Sequence, residues 1–118
     1  MKIEIKSCDF PFPISDSLRS YISSSVTIAL IQKAEFIQRV LVQLSHVNNS
    51  CSWADKCCAI KVELLNGSEL VIENTEMDLY AAINRATSRT KYTLRKRLLV
   101  QVNNENVYKL NDEIHAVE

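Results

Sequence analysis

The stretch CAIKVELLNGSELVI, residues 58–72, decides how this chain is expected to fold. Apolar and polar residues alternate in its first half, from Cys58 to Leu64, and again in its second half, which is the period of a half-buried strand. Asn66-Gly67, with the only glycine of the chain, separates the two runs. An Asn-Gly pair between alternating runs is a strong short-range signal for a hairpin. The stretch therefore predicts two adjacent antiparallel strands.

Two further strands and a helix are predicted upstream of this hairpin. Residues 1–7 alternate as a strand does, and so do residues 40–45. Between them two prolines interrupt the chain, and Ser15 is placed to cap a helix that should run to about Ile31. The residues expected on the buried face of this helix are Leu18, Tyr21, Ile22, Ser25 and Ala29. Residues 46–55 are polar and irregular and predict a loop.

A second, longer helix is predicted after the hairpin. Thr75-Glu76-Met77-Asp78 resembles a capping box with Asp in place of Glu or Gln, and the helix should continue to about Leu98. Its expected buried face consists of Leu79, Ala82, Ile83, Ala86, Thr90 and Leu94. Residues 100–118 have no clear period, so we expect a tail that is mobile in isolation.

The predicted order of elements is β-α-β-β-β-α, which defines an α+β fold. A single four-stranded sheet should have both helices packed on one of its faces, because each helix has one apolar stripe to bury. The chain of 118 residues is long enough for one such domain with its own core. We therefore expect a domain over residues 1–98 and a C-terminal tail over residues 99–118.

The charge of the second helix is unusual for a chain with no formal net charge. Six of the fourteen Lys and Arg residues lie between Asp78 and Glu105, where there is no acidic residue, so the rest of the chain carries a formal charge of −6. In projection, two polar rows face outward: Arg85, Arg89, Tyr92 and Lys96, and beside them Asn84, Ser88, Lys91 and Arg95. Like charges four residues apart repel each other, and phosphates would relieve that repulsion. The pattern predicts an anionic partner, most plausibly nucleic acid.

A purely structural explanation covers part of this charge. Basic residues near the end of a helix suit its dipole, which accounts for Arg95, Lys96 and Arg97. It accounts less well for Arg85 and Arg89, which lie well before the predicted end.

Catalysis, metal binding and membrane insertion are not indicated by the residues. Only His46 and His115 are available as imidazole bases, and a chain with one glycine has no phosphate-binding glycine loop. The four cysteines show no C-x-x-C spacing, so we expect free thiols, no metal and no cofactor. There is no apolar run of membrane-spanning length and no signal-peptide core, so a cytoplasmic location is expected.

Two motifs carry a resemblance to a known family. The segment DLYAAI at residues 78–83, followed by a basic helix, resembles the ribosome hibernation-promoting factor and ribosome-associated inhibitor family, also described as the sigma-54 modulation protein family. The strand MKIEI at residues 1–5 and the helix start ISDSLRSYI at residues 14–22 are similar to the same family. The resemblance in element order and spacing covers about residues 1–97.

The resemblance implies a fold and a role. The fold would be similar to a double-stranded-RNA-binding domain. The role would be that of a bacterial translation inhibitor in stress or stationary phase, which occupies the messenger and transfer RNA channel of the small ribosomal subunit. The partner would be 16S ribosomal RNA. Carried over by position, the RNA-binding residues would be Arg19, Arg85, Arg89, Lys91, Tyr92, Arg95, Lys96 and Arg97.

The chain also departs from the family pattern. Its first helix carries only Arg19, with Lys33 beyond the predicted end, whereas relatives have more basic residues there. A second domain, through which longer members pair ribosomes, is not read from this sequence, so we expect a short form; self-association is possible but not indicated. An alternative therefore stays open, namely a module that kept the fold but binds another RNA or a protein.

Overall fold

The strands and helices follow one another in the order that the sequence predicts. A computed structural model describes the backbone of residues 1–8, 14–46 and 55–117, and the side chains of residues 1–7, 14–46 and 55–99. The elements are β1 (Lys2–Cys8), α1 (Asp16–Leu30), a short 3-10 helix (Ile31–Phe36), β2 (Ile37–His46), β3 (Lys56–Leu64), β4 (Glu69–Glu76) and α2 (Leu79–Val117). The α+β order β-α-β-β-β-α is confirmed.

The four strands form one mixed sheet in the order β1-β2-β3-β4. β1 is parallel to β2, while β2–β3 and β3–β4 are antiparallel. The predicted hairpin joins β3 to β4, and its turn is closed by the N–H of Gly67, which donates to the carbonyl of Leu64 at 3.0 Å. Gly67 has φ +91°, a left-handed conformation that favours glycine. β4 pairs only with β3 among the described strands, so it forms one edge of the sheet.

The core is a single layer of side chains between the sheet and the two helices. Every second residue of the central strands points into it, as Val40, Val42 and Leu44 do in β2. Buried residues of both helices join the same cluster, so both helices lie on one face of the sheet, as predicted. Along the described residues, no helix combines the length and apolarity needed to cross a membrane.

The buried stripe of α1 is turned slightly from the predicted one. Its buried residues are Leu18, Ile22, Val26 and Leu30, at spacings of four. Tyr21, Ser25 and Ala29 are only half-buried. Tyr21 instead faces α2, where its hydroxyl donates to Oδ1 of Asn84 at 2.5 Å. The predicted N-cap is confirmed, because Oγ of Ser15 accepts from the N–H of Leu18 at 3.1 Å.

Both predicted ends of α2 are wrong. The helix begins at Leu79 with Asp78 as its cap, since Oδ2 of Asp78 accepts from the N–H of Ala81 at 3.1 Å. Thr75 cannot cap the helix because it pairs with Cys57 inside the sheet. At the other end α2 continues to Val117, and no proline or glycine interrupts residues 98–117. The division into a domain over 1–98 and a tail stays a prediction, and of the predicted loop, residues 47–54 lie outside the described part.

Candidate nucleic-acid interface

The buried face of α2 fixes which of its residues turn outward. Ala82, Ile83, Ala86, Thr90 and Leu94 are buried, as predicted, and Leu79 is half-buried. Thr90 is accommodated there because its hydroxyl donates to the carbonyl of Ala86 at 2.7 Å. The eight residues of the two predicted polar rows are all exposed. Arg97, just beyond them, is exposed too.

Two of the exposed arginines bind the edge of the sheet. Nη1 of Arg89 donates to the carbonyl of Glu73 at 2.8 Å and to Oδ1 of Asn74 at 3.0 Å. Nη1 of Arg97 donates to the carbonyl of Glu69 at 2.6 Å. All three acceptors lie on β4, so these guanidinium groups satisfy backbone groups of an edge strand.

Arg85 also has a partner on β4. Its Nε lies 3.2 Å from Oε1 of Glu76, which also accepts from Nδ2 of Asn74 at 2.9 Å. Glu76 is the last residue of β4, and α2 starts three residues later. The cation at the start of the helix is therefore partly neutralised by a carboxylate that the helical projection alone does not reveal.

The remaining cations of α2 have no such partner. Within the described part of the chain, no carboxylate forms an ion pair with Lys91, Arg95 or Lys96. Nζ of Lys96 lies 5.9 Å from the ring centroid of Tyr92, a weak cation–π contact, and the Tyr92 side chain is 67% exposed. These four residues present three positive charges and one aromatic ring to solvent.

A cleft between α1 and α2 adds another cation to this surface. It has a volume of about 330 Å³ and lies where α1 passes into the 3-10 helix. Its lining consists of Ala29, Leu30, Gln32, Lys33, Lys91, Leu94 and Arg95. Lys33 therefore belongs with the α2 cations, although the sequence prediction left it out of the site. We call Lys33, Lys91, Arg95 and Lys96 the open cations.

Arg19 lies apart from this surface. It is exposed, but at 100° per residue it points about 160° away from Tyr21 around α1. Tyr21 lies on the side of α1 that faces α2, with its ring 4.9 Å from that of Tyr80. Arg19 therefore projects from the opposite flank of α1, and a contact from it to RNA stays a prediction.

The outer face of the sheet contrasts with α2 because most of its described cations, Lys6 excepted, lie beside a carboxylate. Nη2 of Arg39 lies 2.7 Å from Oε1 of Glu63, and its Nη1 lies 3.5 Å from Glu4. Lys61 lies 3.4 Å from Glu69. The hydrogen bond from Arg39 lowers the pKa of Glu63. Among the described residues, cations without a carboxylate partner are thus concentrated on the helical side of the domain.

The two cysteines whose side chains the structure describes lie next to each other on β3. Cys57 and Cys58 are free and buried, and they point to opposite faces of β3, as expected for adjacent strand residues. Burial raises the pKa of the Cys58 thiol to about 12, so it carries no thiolate near neutral pH. The side chains of Cys8 and Cys51 lie outside the described part.

These features define a class: a small α+β domain whose second helix presents unpaired cations beside an ion-paired sheet. Residues 4–98 match the protein family described as sigma 54 modulation protein / S30EA ribosomal protein. The match covers most of the chain, so the chain belongs to this family, and the resemblance seen in the sequence is confirmed.

Two solved structures are similar in fold. The Protein Y N-terminal domain of Thermus thermophilus is 24% identical with a TM-score of 0.65, over 81% of this chain and 98% of that one. A ribosomal subunit interface protein from Coxiella burnetii is 17% identical with a TM-score of 0.69, over 84% of this chain and 99% of that one. A search of curated proteins finds no match.

Proposed function

We propose that this chain binds 16S ribosomal RNA of the small ribosomal subunit and inhibits translation in stressed or stationary-phase cells. Membership of a family described by a ribosomal protein supports the association with ribosomes. The observation that carries the RNA contact is the set of open cations on α2 and its cleft, which lack carboxylate partners among the described residues. The proposed binding site of the domain is the messenger and transfer RNA channel of the small subunit.

The chemistry of this surface suits backbone recognition. Lysine and arginine side chains on an exposed helix reach phosphates, and such contacts position a protein without reading sequence. RNA helices are recognised mostly by shape and by backbone contacts. Tyr92 adds an exposed ring that can stack on an unpaired base. Inhibition then follows from occupancy, because a domain seated in the channel excludes messenger and transfer RNA without any bond being made or broken.

Co-sedimentation with purified small subunits tests the proposal. We expect the chain to pellet with small subunits at low salt, and Lys91→Gln/Lys96→Gln to weaken this clearly. Lys2→Gln/Lys6→Gln is the matched control, because it removes the same two charges from the outer face of the sheet. Equal losses in both variants would mean that net charge, rather than α2, governs binding.

The position in the channel needs its own measurement. Small subunits loaded beforehand with messenger and initiator transfer RNA should bind the chain much less than empty subunits. Equal binding to loaded and empty subunits would place the chain elsewhere on the subunit and would refute occupancy of the channel.

A second function is favoured by the arginines bound to β4. Because Arg85, Arg89 and Arg97 have partners within the chain, the open cationic surface is smaller than the sequence predicts. A smaller cationic surface leaves room for a module that kept the fold but binds another RNA or a protein. Crosslinking in cells separates the two functions: mainly ribosomal RNA supports the first, and mainly other RNA, or none, supports the second.

A further inference from the structure

We propose that Arg89 and Arg97 are positioning residues that hold α2 in register along the free edge of β4, rather than contacts to RNA. Each guanidinium donates to a backbone carbonyl of that strand, at 2.8 Å and 2.6 Å. The part of this inference that rests on the proposed function is that Arg89 and Arg97 do not contact RNA. The anchoring itself is a property of the isolated chain.

The carbonyls concerned are those that the sheet leaves unpaired. The carbonyl of Ser68 accepts from the N–H of Leu64, so it faces β3. Because backbone groups alternate along a strand, the carbonyls of residues 69, 71, 73 and 75 face away from β3. Among the described strands none lies beyond β4. The two arginines therefore cover acceptors that an edge strand would otherwise expose to water or to another chain.

The spacing of the two arginines matches the spacing of their acceptors. Arg89 and Arg97 are eight residues apart on the helix, which corresponds to about 12 Å. Glu73 and Glu69 are four residues apart on the strand, which corresponds to about 13.5 Å. Residue numbers rise along α2 as those of the acceptors fall along β4, so helix and strand run antiparallel. Two contacts at matched spacing fix both the slide and the rotation of the helix.

This anchoring determines where the open cations point. Arg89 lies about 160° around the helix from Lys91, so holding Arg89 against β4 turns Lys91 towards α1 and the cleft. Arginine suits this task better than lysine, because its planar fork donates in fixed directions whereas an ammonium acts as a mobile point charge. Arg89 uses one nitrogen for both the carbonyl of Glu73 and the side chain of Asn74.

Two charge-matched variants separate positioning from RNA contact. Arg89→Gln/Arg97→Gln should lower the folding equilibrium constant about tenfold in urea titrations, because three hydrogen bonds to β4 are lost. It should leave the slope of log affinity for the small subunit against log salt unchanged. Lys91→Gln/Lys96→Gln should keep the folding constant and reduce the magnitude of that slope by about 2. A slope reduced by about 2 in the arginine variant, with unchanged stability, would overturn the proposal.

A measurement without ribosomes keeps this inference separate from the proposed function. In a double-mutant cycle of Arg89→Gln and Asn74→Ala, urea unfolding should show the double variant less destabilised than the sum of the single ones. Additive effects would show that the guanidinium does not hold this contact in solution. The cycle can show coupling between Arg89 and Asn74 while the wild-type chain does not bind small subunits. In that case the proposed function fails and the anchoring stands.

Discussion

The salt dependence of small-subunit binding has a magnitude that follows from the open cations. There are four of them, Lys33, Lys91, Arg95 and Lys96. Each phosphate contact contributes about 0.7 to 0.9 to the slope of log affinity against log salt, so the four together give about −3 to −4. Raising salt from about 50 to 200 mM should then weaken binding roughly 50- to 150-fold.

The eight residues predicted from sequence give a different value. Seven of them are cations, and seven phosphate contacts give a slope of about −5 to −6. The same rise in salt would then weaken binding roughly 900- to 6,000-fold. The two expectations differ by more than a factor of ten in affinity, which is well within reach of a binding titration.

The assay is sedimentation of the chain, labelled at its N-terminus, with purified small subunits at five or six salt concentrations. Magnesium is held constant, because it competes for phosphates and preserves the subunit. A slope steeper than about −5 would refute the assignment of the β4-bound arginines to anchoring. A slope near zero would refute binding through phosphates altogether.

Three further predictions concern the stability of the fold. Ile22→Ala removes a side chain that is 0% exposed, and it should lower the free energy of unfolding in urea by about 2 to 5 kcal/mol. A loss below about 1 kcal/mol would contradict the place of Ile22 in the core. Gly67→Ala should cost about 1 kcal/mol by thermal unfolding, because φ is +91° although the new Cβ meets nothing within 4 Å; an unchanged melting temperature would argue against that turn. The hydrogen bond from Arg39 lowers the pKa of Glu63 below its ordinary value of 4.5. The Arg39–Glu63 pair therefore stabilises the fold above pH 4.5, and this stabilisation is lost as the pH falls through the folded-state pKa of Glu63. Glu63→Gln should therefore reduce the loss of stability on acidification, and an identical pH profile would refute the pairing.

Local patterns were enough to predict most of the fold. The alternation around Asn66-Gly67 predicts the β3–β4 hairpin because strand period and turn chemistry are both local. The buried face of α2 follows from its 3.6-residue period. The cap of α2 does not follow, because Thr75 and Asp78 are both good caps and only the pairing of Thr75 with Cys57 decides between them.

The candidate site could be predicted only in part, since a helical projection does not contain the neighbours of the helix. It places Arg89 and Lys91 alike on the outward side of α2. The structure separates them, because β4 lies beside one and the cleft beside the other. The 3-10 helix after α1 places Lys33 beside α2, and no local pattern in the sequence predicts this 3-10 helix.

An electron cryo-microscopy structure of the chain on the small ribosomal subunit tests the central claim most directly. We expect the domain in the messenger and transfer RNA channel, with Lys91, Arg95 and Lys96 within contact of 16S ribosomal RNA phosphates. Arg89 and Arg97 should still lie on β4, and the outer face of the sheet should point away from α2's RNA contacts. A domain bound outside the channel, or one that meets RNA through the outer face of its sheet, would contradict the account.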